Sequence, residues 1–332
     1  MEVPELSPSL LESLVAVVAT LGELVAAVAG PDGDALLPSS PNSLHKALDS
    51  FIGHLMATLG HLGVTSPGHH GDVTLGETLA AFGDTPGPTR ADVTSAAGAW
   101  RDSVAALGDR WHRLATEATK LLEACEDAAT AEATAAAAAT QRAGDRRDKE
   151  TKWVTNLDSL VAKAKRLLVV TDEEKGAKAL QEHQATVEVA SRDTEVARKD
   201  MEDAVVATNE AMAATKRGRR AEVALGPLRA LVAACDEATA AFRELSRRVG
   251  DIAATLEESP NVTEGLVAAV AQAERLWEAG GRLATRHLVG TLGDIRRLLP
   301  RGPGGPGGPS GRTVAERCQK AIEDIPRLLR GQ

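Results

Sequence analysis

The sequence predicts an all-α protein, an elongated helical bundle with a long antiparallel coiled-coil hairpin projecting from it as a stalk. Three observations carry this. Fourteen positions from Val93 to Ala139 advance in alternating steps of four and three, and thirteen of them are apolar, Glu132 being the exception. A 3.5-residue repeat held that long keeps one seam turned toward a partner helix. Aromatic residues make up only 2% of the chain, with no Tyr, while small and aliphatic residues dominate. Such residues build thin seams between closely approaching helices and serve large sheets badly. Finally, no proline lies between Pro88 and Pro227, so no obligatory breaker interrupts that region.

Each element has its own signals. Ser9 with Glu12 forms a capping-box pattern ahead of Leu10, Leu14, Val17, Leu21, Leu24 and Val28, a first helix that stops at Gly30-Pro31. Glu12 and Glu23 give it a hydrophilic face, so it reads as a bundle helix and not as a membrane span. A linker to about Asn42 precedes a second helix with Leu44, Leu48, Phe51, Leu55, Leu59 and Leu62 on one face. Residues 63–89 read as loop with at most a short helix around Leu75–Phe82. Thr89 or Asp92 then opens the long helix. Its seam becomes nearly all Ala from Ala131 to Ala139, turns polar to Lys152, and resumes at Trp153 and Leu157.

A hairpin tip is expected near Thr171, where Thr171-Asp172-Glu173-Glu174 reads as a capping box. The arms carry opposite charge: residues 141–166 hold eight basic and four acidic residues, a balance of +4, and residues 172–210 hold five basic and eleven acidic, −6. Folding back about Thr171 sets residue 171−k beside 172+k. Pro227 reads as the first residue of a returning helix whose ladder runs from Leu228 to Leu256. Asn261 with Glu264 caps a further helix from Leu266 to Leu299. The expected organisation is therefore an N-terminal helical segment with flexible loops over 1–88 and a long-helix bundle over 89–300 that includes the stalk 127–216. A Gly/Pro linker follows at 301–312, then a short C-terminal helix at 313–332, capped by Thr313 and Glu316 and broken or kinked at Pro326. The Gly/Pro tether is expected to couple this last helix only weakly to the core.

No catalytic, cofactor-binding or metal-binding residue is assigned. Five of the eight histidines fall at 45, 54, 61, 69 and 70, but His54 and His61 lie about 10 Å apart along a helix and no HxxxH or HExxH spacing exists. The basic run Lys216-Arg217-Gly218-Arg219-Arg220 reads as a solvated cluster facing Glu123, Glu126 and Asp127. Arg296, Arg297 and Arg301 read as helix-end cations. Cys125 and Cys235 fall at seam positions, as small apolar residues. A net charge of −9 argues against a nucleic-acid partner. Three cysteines without CxxC spacing and an acidic amino terminus point to a reducing, cytoplasmic location. The expected function is that of a non-enzymatic scaffold, binding protein partners or itself through helical seams. The alternative is a peripheral membrane-binding, membrane-remodelling or pore-forming helical protein, with the run Leu167–Val170 as its point of membrane contact.

Overall fold

The computed structural model describes residues 9–28, 41–64, 74–81, 89–167, 173–258, 262–299 and 311–330. Among them lie α1 (Ser9–Val28), α2 (Pro41–Val64), α3 (Leu75–Ala80), α4 (Arg90–Leu167), α5 (Glu173–Glu258) and α6 (Glu264–Leu283). A π-helical turn (Ala284–Leu288), α7 (Val289–Leu298) and α8 (Gly311–Leu329) complete the order, and no described residue forms a strand. The fold is all-α, a helical bundle with a long antiparallel helix pair. It divides into two compact units: Met1–Asp127 with Arg220–Gln332, and Ala128–Arg219.

The first unit holds one continuous apolar core drawn from all eight helices. In α1, Leu11, Leu14, Val15, Val17, Val18, Leu21 and Leu24 are fully buried. What stays exposed or half-buried there is a strip of Ser9, Glu12, Ala16, Ala19, Thr20, Glu23, Ala26 and Ala27. Trp100 and Trp111 are buried on α4, and the Trp111 ring stacks on Phe242 of α5, centroids 5.7 Å apart and planes 16° from parallel. Two close approaches depend on missing side chains: a Cβ on Gly22 would lie 2.6 Å from Val314 Cγ1, and one on Gly281 3.1 Å from the Leu62 carbonyl oxygen. Capping matches the local sequence. Thr74 and Glu77 exchange hydrogen bonds in a capping box at α3, and the Asp92 carboxylate accepts from both the backbone N–H and the hydroxyl of Thr89. Arg90 donates to the Leu256 and Glu257 carbonyls at the end of α5, satisfying groups that a helix terminus leaves without partners.

In the second unit the two helices run antiparallel along a seam of alanine, with Ala139, Ala207, Ala211 and Ala214 buried. Arg142 pairs with Glu210 and Arg146 with Asp203, so the opposite charges of the arms meet as ion pairs.

Several expectations need correction. The expected tip at Thr171, with most of Leu167–Val170, lies outside the described residues, but the register is visible on either arm. The pairs Trp111–Phe242, Glu126–Arg229, Glu132–Arg217, Arg142–Glu210 and Arg146–Asp203 have residue numbers that total between 349 and 355, where the expected fold-back requires 343. Packing of side chains along the seam, and not the midpoint of the turn, fixes the register of helices this long.

Pro227 does not start a helix; α5 runs through it. A proline there removes the hydrogen bond to the Val223 carbonyl, on a turn whose Val223 is 62% exposed. The N-cap of α6 is Thr263, whose hydroxyl accepts from Leu266 N–H, while Asn261 lies outside the described residues. α8 begins at Gly311 and continues through Pro326.

The weak coupling expected of the last helix is also overturned. Val314, Cys318, Ala321, Ile325 and Leu328 of α8 are buried against α1, α6 and α7. Its amphipathic face is what completes the core over α1. The residues of the tether itself, 301–310, lie outside the described ones.

Candidate functional sites

Among the described residues the histidines do not assemble into a site. His54 Nδ1 lies 3.0 Å from Glu117 on the surface, His69 and His70 lie outside the described residues, and no group of three or more metal-ligating side chains converges among the described ones. The basic run is not a free patch either. Arg217 donates from Nε to Glu132 Oε1 at 2.9 Å, and Glu132, the one polar member of the long ladder, is 3% exposed. Pairing of Arg217 with Glu132 follows from the shifted register, and Glu126 pairs with Arg229.

Of the arginines expected to act as helix-end charges, Arg296 and Arg297 have specific partners, and Arg301 lies outside the described residues. Arg296 forks onto Asp49 at 2.6 and 2.8 Å. Arg297 and Arg317 both donate to the buried Asp294, and His287 lies 3.1 Å from Asp324. Two of these contacts, Arg317–Asp294 and His287–Asp324, tie α8 to the π-helical turn and α7.

Cys125, Cys235 and Cys318 are free and buried. Burial, with Asp236 adding to it, pushes the Cys235 thiol up to about 12, and burial pushes Cys125 and Cys318 up to about 11, helped at Cys318 by Glu23. Thiols held neutral in this way make poor nucleophiles.

Two features stand apart from this background. α1 is long and apolar enough to cross a membrane, yet it is folded into the core of the first unit. The other is the distribution of exposed large apolar side chains. Of the eleven among the described residues, nine belong to the second unit and seven of those to α5 between Val187 and Met212. Scattered apolar residues on a surface are ordinary; here they concentrate on one helix, with Val187, Met201, Val205 and Met212 on a shared face and Val189, Val196 and Val206 on others.

No protein-family model matches this sequence, and no curated protein matches it. Among solved structures, the chain is similar to the soluble AhlC triple head mutant of the tripartite alpha-pore forming toxin AHL from Aeromonas hydrophila. That likeness has 11% identity and a TM-score of 0.48, over 81% of this chain and 97% of that one. It is also similar to the SmhB pore of the tripartite toxin Smh from Serratia marcescens, at 10% identity and a TM-score of 0.46 over 86% and 100%. The AhlB pre-pore from Aeromonas hydrophila follows at 10% and 0.40, over 92% and 99%.

The cytoplasmic location expected from the sequence is corrected here. The similar structures are components of tripartite pore-forming toxins. The chemical basis of the expectation falls as well. All three thiols are buried, so the lack of disulfides carries no information about the redox state outside the molecule.

Proposed function

We propose that the protein is a non-catalytic helical protein that self-associates and engages membranes, with pore formation, the activity named for the similar structures, as the form of engagement to test first. The observation that supports this reading is α1. Its 20 residues span about 30 Å at 1.5 Å per residue, the thickness of a bilayer's hydrocarbon core. In the folded chain this helix is surrounded by protein, and its narrow strip of Ser, Ala, Thr and Glu is the part left toward solvent. Exchanging the protein around α1 for lipid keeps its apolar surface out of water, and the strip with Glu12 and Glu23 then needs a polar neighbour, which association of several copies supplies. Protein binding without membrane contact is the second reading, favoured by the exposed apolar side chains of the second unit.

The test is a covalent clamp. A Cβ on Gly22 lies 3.7 Å from Val314 Cβ, close to the mean of about 3.8 Å in disulfides. The variant Gly22→Cys with Val314→Cys, in a Cys318→Ala background, therefore locks α1 to α8 when oxidised. Dye release from anionic vesicles by the parent chain and by the reduced variant, lost on oxidation and restored by reductant, is the expected result. Equal release by the oxidised form would exclude movement of α1 away from α8. Absence of both vesicle co-sedimentation and dye release in the parent would remove the membrane reading altogether.

A further inference from the structure

α5 carries two heptad ladders in the second unit, of which α4 covers one. The inner ladder is made of small and polar residues: Ala190, Asp193, Ala197, Asp200 and Ala204 are half-buried, and Ala207, Ala211 and Ala214 are buried. The outer ladder starts at Gln184 and advances in steps of three and four through 187, 191, 194, 198, 201, 205, 208 and 212 to Thr215, and all ten positions are exposed. Its apolar members, Val187, Met201, Val205 and Met212, are larger than anything in the inner seam and are 52–60% exposed. The ten positions share one face of the helix at the spacing of a seam between helices, and four of them are large and apolar.

Three of the polar members have their hydroxyls bonded within the helix. The hydroxyls of Thr194, Thr208 and Thr215 donate to the carbonyls of Ala190, Ala204 and Ala211 on their own helix, at 2.6, 2.8 and 2.8 Å, which leaves their methyl groups to the outer surface. One position in the ten is charged. Arg198 is already paired on its own helix with Glu195 and Glu202, at 2.6 and 2.7 Å.

We propose that the outer ladder of α5 is a docking surface for the same ladder of a second copy, packed antiparallel. The order of residues is self-complementary about its centre. Pairing positions whose numbers total 399 sets Val187 on Met212, Thr194 on Val205, Ser191 on Thr208 and Arg198 on Met201, with the same contacts repeated by symmetry. A parallel in-register pair instead sets Arg198 on Arg198, two like charges in contact. In the antiparallel pair each Arg198 comes beside Glu202 of the second copy, so the central charges meet counter-charges.

The size also fits a second copy. From Gln184 to Thr215 the ladder runs about 47 Å, and at a helix diameter of about 10–12 Å it covers about 500 Å² per copy. The total of about 1,000 Å² is at the threshold for a specific interface between proteins. This association is independent of any movement of α1.

The test uses the full chain carrying Val187→Cys with Met212→Cys. Within one chain these positions are 25 residues apart, about 38 Å along the helix, so a disulfide between them is intermolecular. Mild oxidation is expected to convert the double variant to a species of twice the chain mass, while each single variant stays at the mass of one chain. Cross-linking of Val187→Cys alone, as efficient as that of the pair, overturns the antiparallel register. Light scattering supplies the second readout. Met201→Glu with Val205→Glu changes only exposed side chains and is expected to halve the measured mass of the parent with helix content unchanged. A parent that remains one chain in mass at about 100 µM overturns the proposal. So does a monomeric parent whose vesicle binding is lost in the double Glu variant, because lipid then occupies the ladder.

Discussion

Replacing Trp111 tests the contact between α4 and α5 at its aromatic stack. The indole is fully buried and stacked on Phe242. Truncating a buried aromatic to Ala costs about 3–5 kcal/mol, of which the stack itself accounts for about 0.5–1.5 kcal/mol. One term works the other way: the Trp111 indole N–H meets no acceptor among the described residues. A buried donor without a partner costs about 1–3 kcal/mol, and that penalty disappears with the indole. Trp111→Ala is therefore expected near 3 kcal/mol, the lower end of the range. Trp111→Phe keeps a ring against Phe242 and removes the donor, and it is expected to cost less than about 1.5 kcal/mol. Urea unfolding followed by helical circular dichroism measures both, with the midpoint moving and the slope unchanged. A cost below about 1 kcal/mol for Trp111→Ala, or equal costs for the two variants, would refute the packing argument.

Trp100→Ala is expected to fall in the same 3–5 kcal/mol range, because Trp100 is 1% exposed; a change within error in the same urea titration would contradict its burial. Deleting residues 311–332 uncovers the faces of α1, α6 and α7 that α8 buries and is expected to lower Tm by more than about 5 °C, read by calorimetry; an unchanged Tm would mean that α8 is not docked in solution. Arg217→Ala leaves Glu132 buried with no counter-charge and is expected to cost about 2–3 kcal/mol, below the 3–5 kcal/mol of a fully buried pair because Arg217 is partly exposed, whereas Glu132→Ala extends the alanine seam and is expected to be neutral or stabilising; equal costs in urea titrations would deny that the pair is buried. The three thiols, ordinarily near 9.0, titrate higher in the folded chain. Their contribution to stability is thus fully present below pH 9 and is lost as the pH rises from about 9 to 12, so stability is expected to fall over that interval, less so in a Cys125→Ala/Cys235→Ala/Cys318→Ala variant. A thiol reagent at pH 8 is expected to label none of them until urea unfolds the chain.

Where the apolar pattern was strong, the sequence was a reliable guide. The ladder from Val93 to Ala118 and its partner from Leu228 to Leu256 lie buried in one core, and the long helix opens at Thr89 with Asp92 bonded back to it. The interpretation of single residues travelled less well. Pro227 reads as a start because proline lacks a donor, but a long helix packed on both sides of it passes through at the loss of one hydrogen bond. The register of α4 on α5 is set by pairs such as Glu132 with Arg217, and no turn signal encodes it. The outer ladder of α5 was present in the sequence all along. Val187, Met201, Val205 and Met212 have regular spacing, but beside the alanines of the inner seam they read as one mixed surface, because hydrophobicity along a helix does not say which of two stripes its neighbour takes. Docking of α8 was hidden for a related reason: a tether rich in Gly and Pro describes the connection, while Val314 and Ile325 describe the destination.

The π-helical turn at Ala284–Leu288 makes chain length itself a constraint on this part of the fold. Such a turn holds one residue more than an α-helical turn, and the same surplus is legible in the apolar spacing, where Ala284, Leu288 and Leu292 follow in two successive steps of four instead of a four and a three. Removing one residue from the turn would restore regular helix between the same flanking residues, so that Asp294 would still meet Arg317 and Leu292 and Ile295 would stay in the core. The same deletion elsewhere in α6 or α7 would rotate everything beyond it by about 100°. Length variation among natural versions of this chain should therefore be absent from α6 and α7 except for single-residue gaps at residues 284–288.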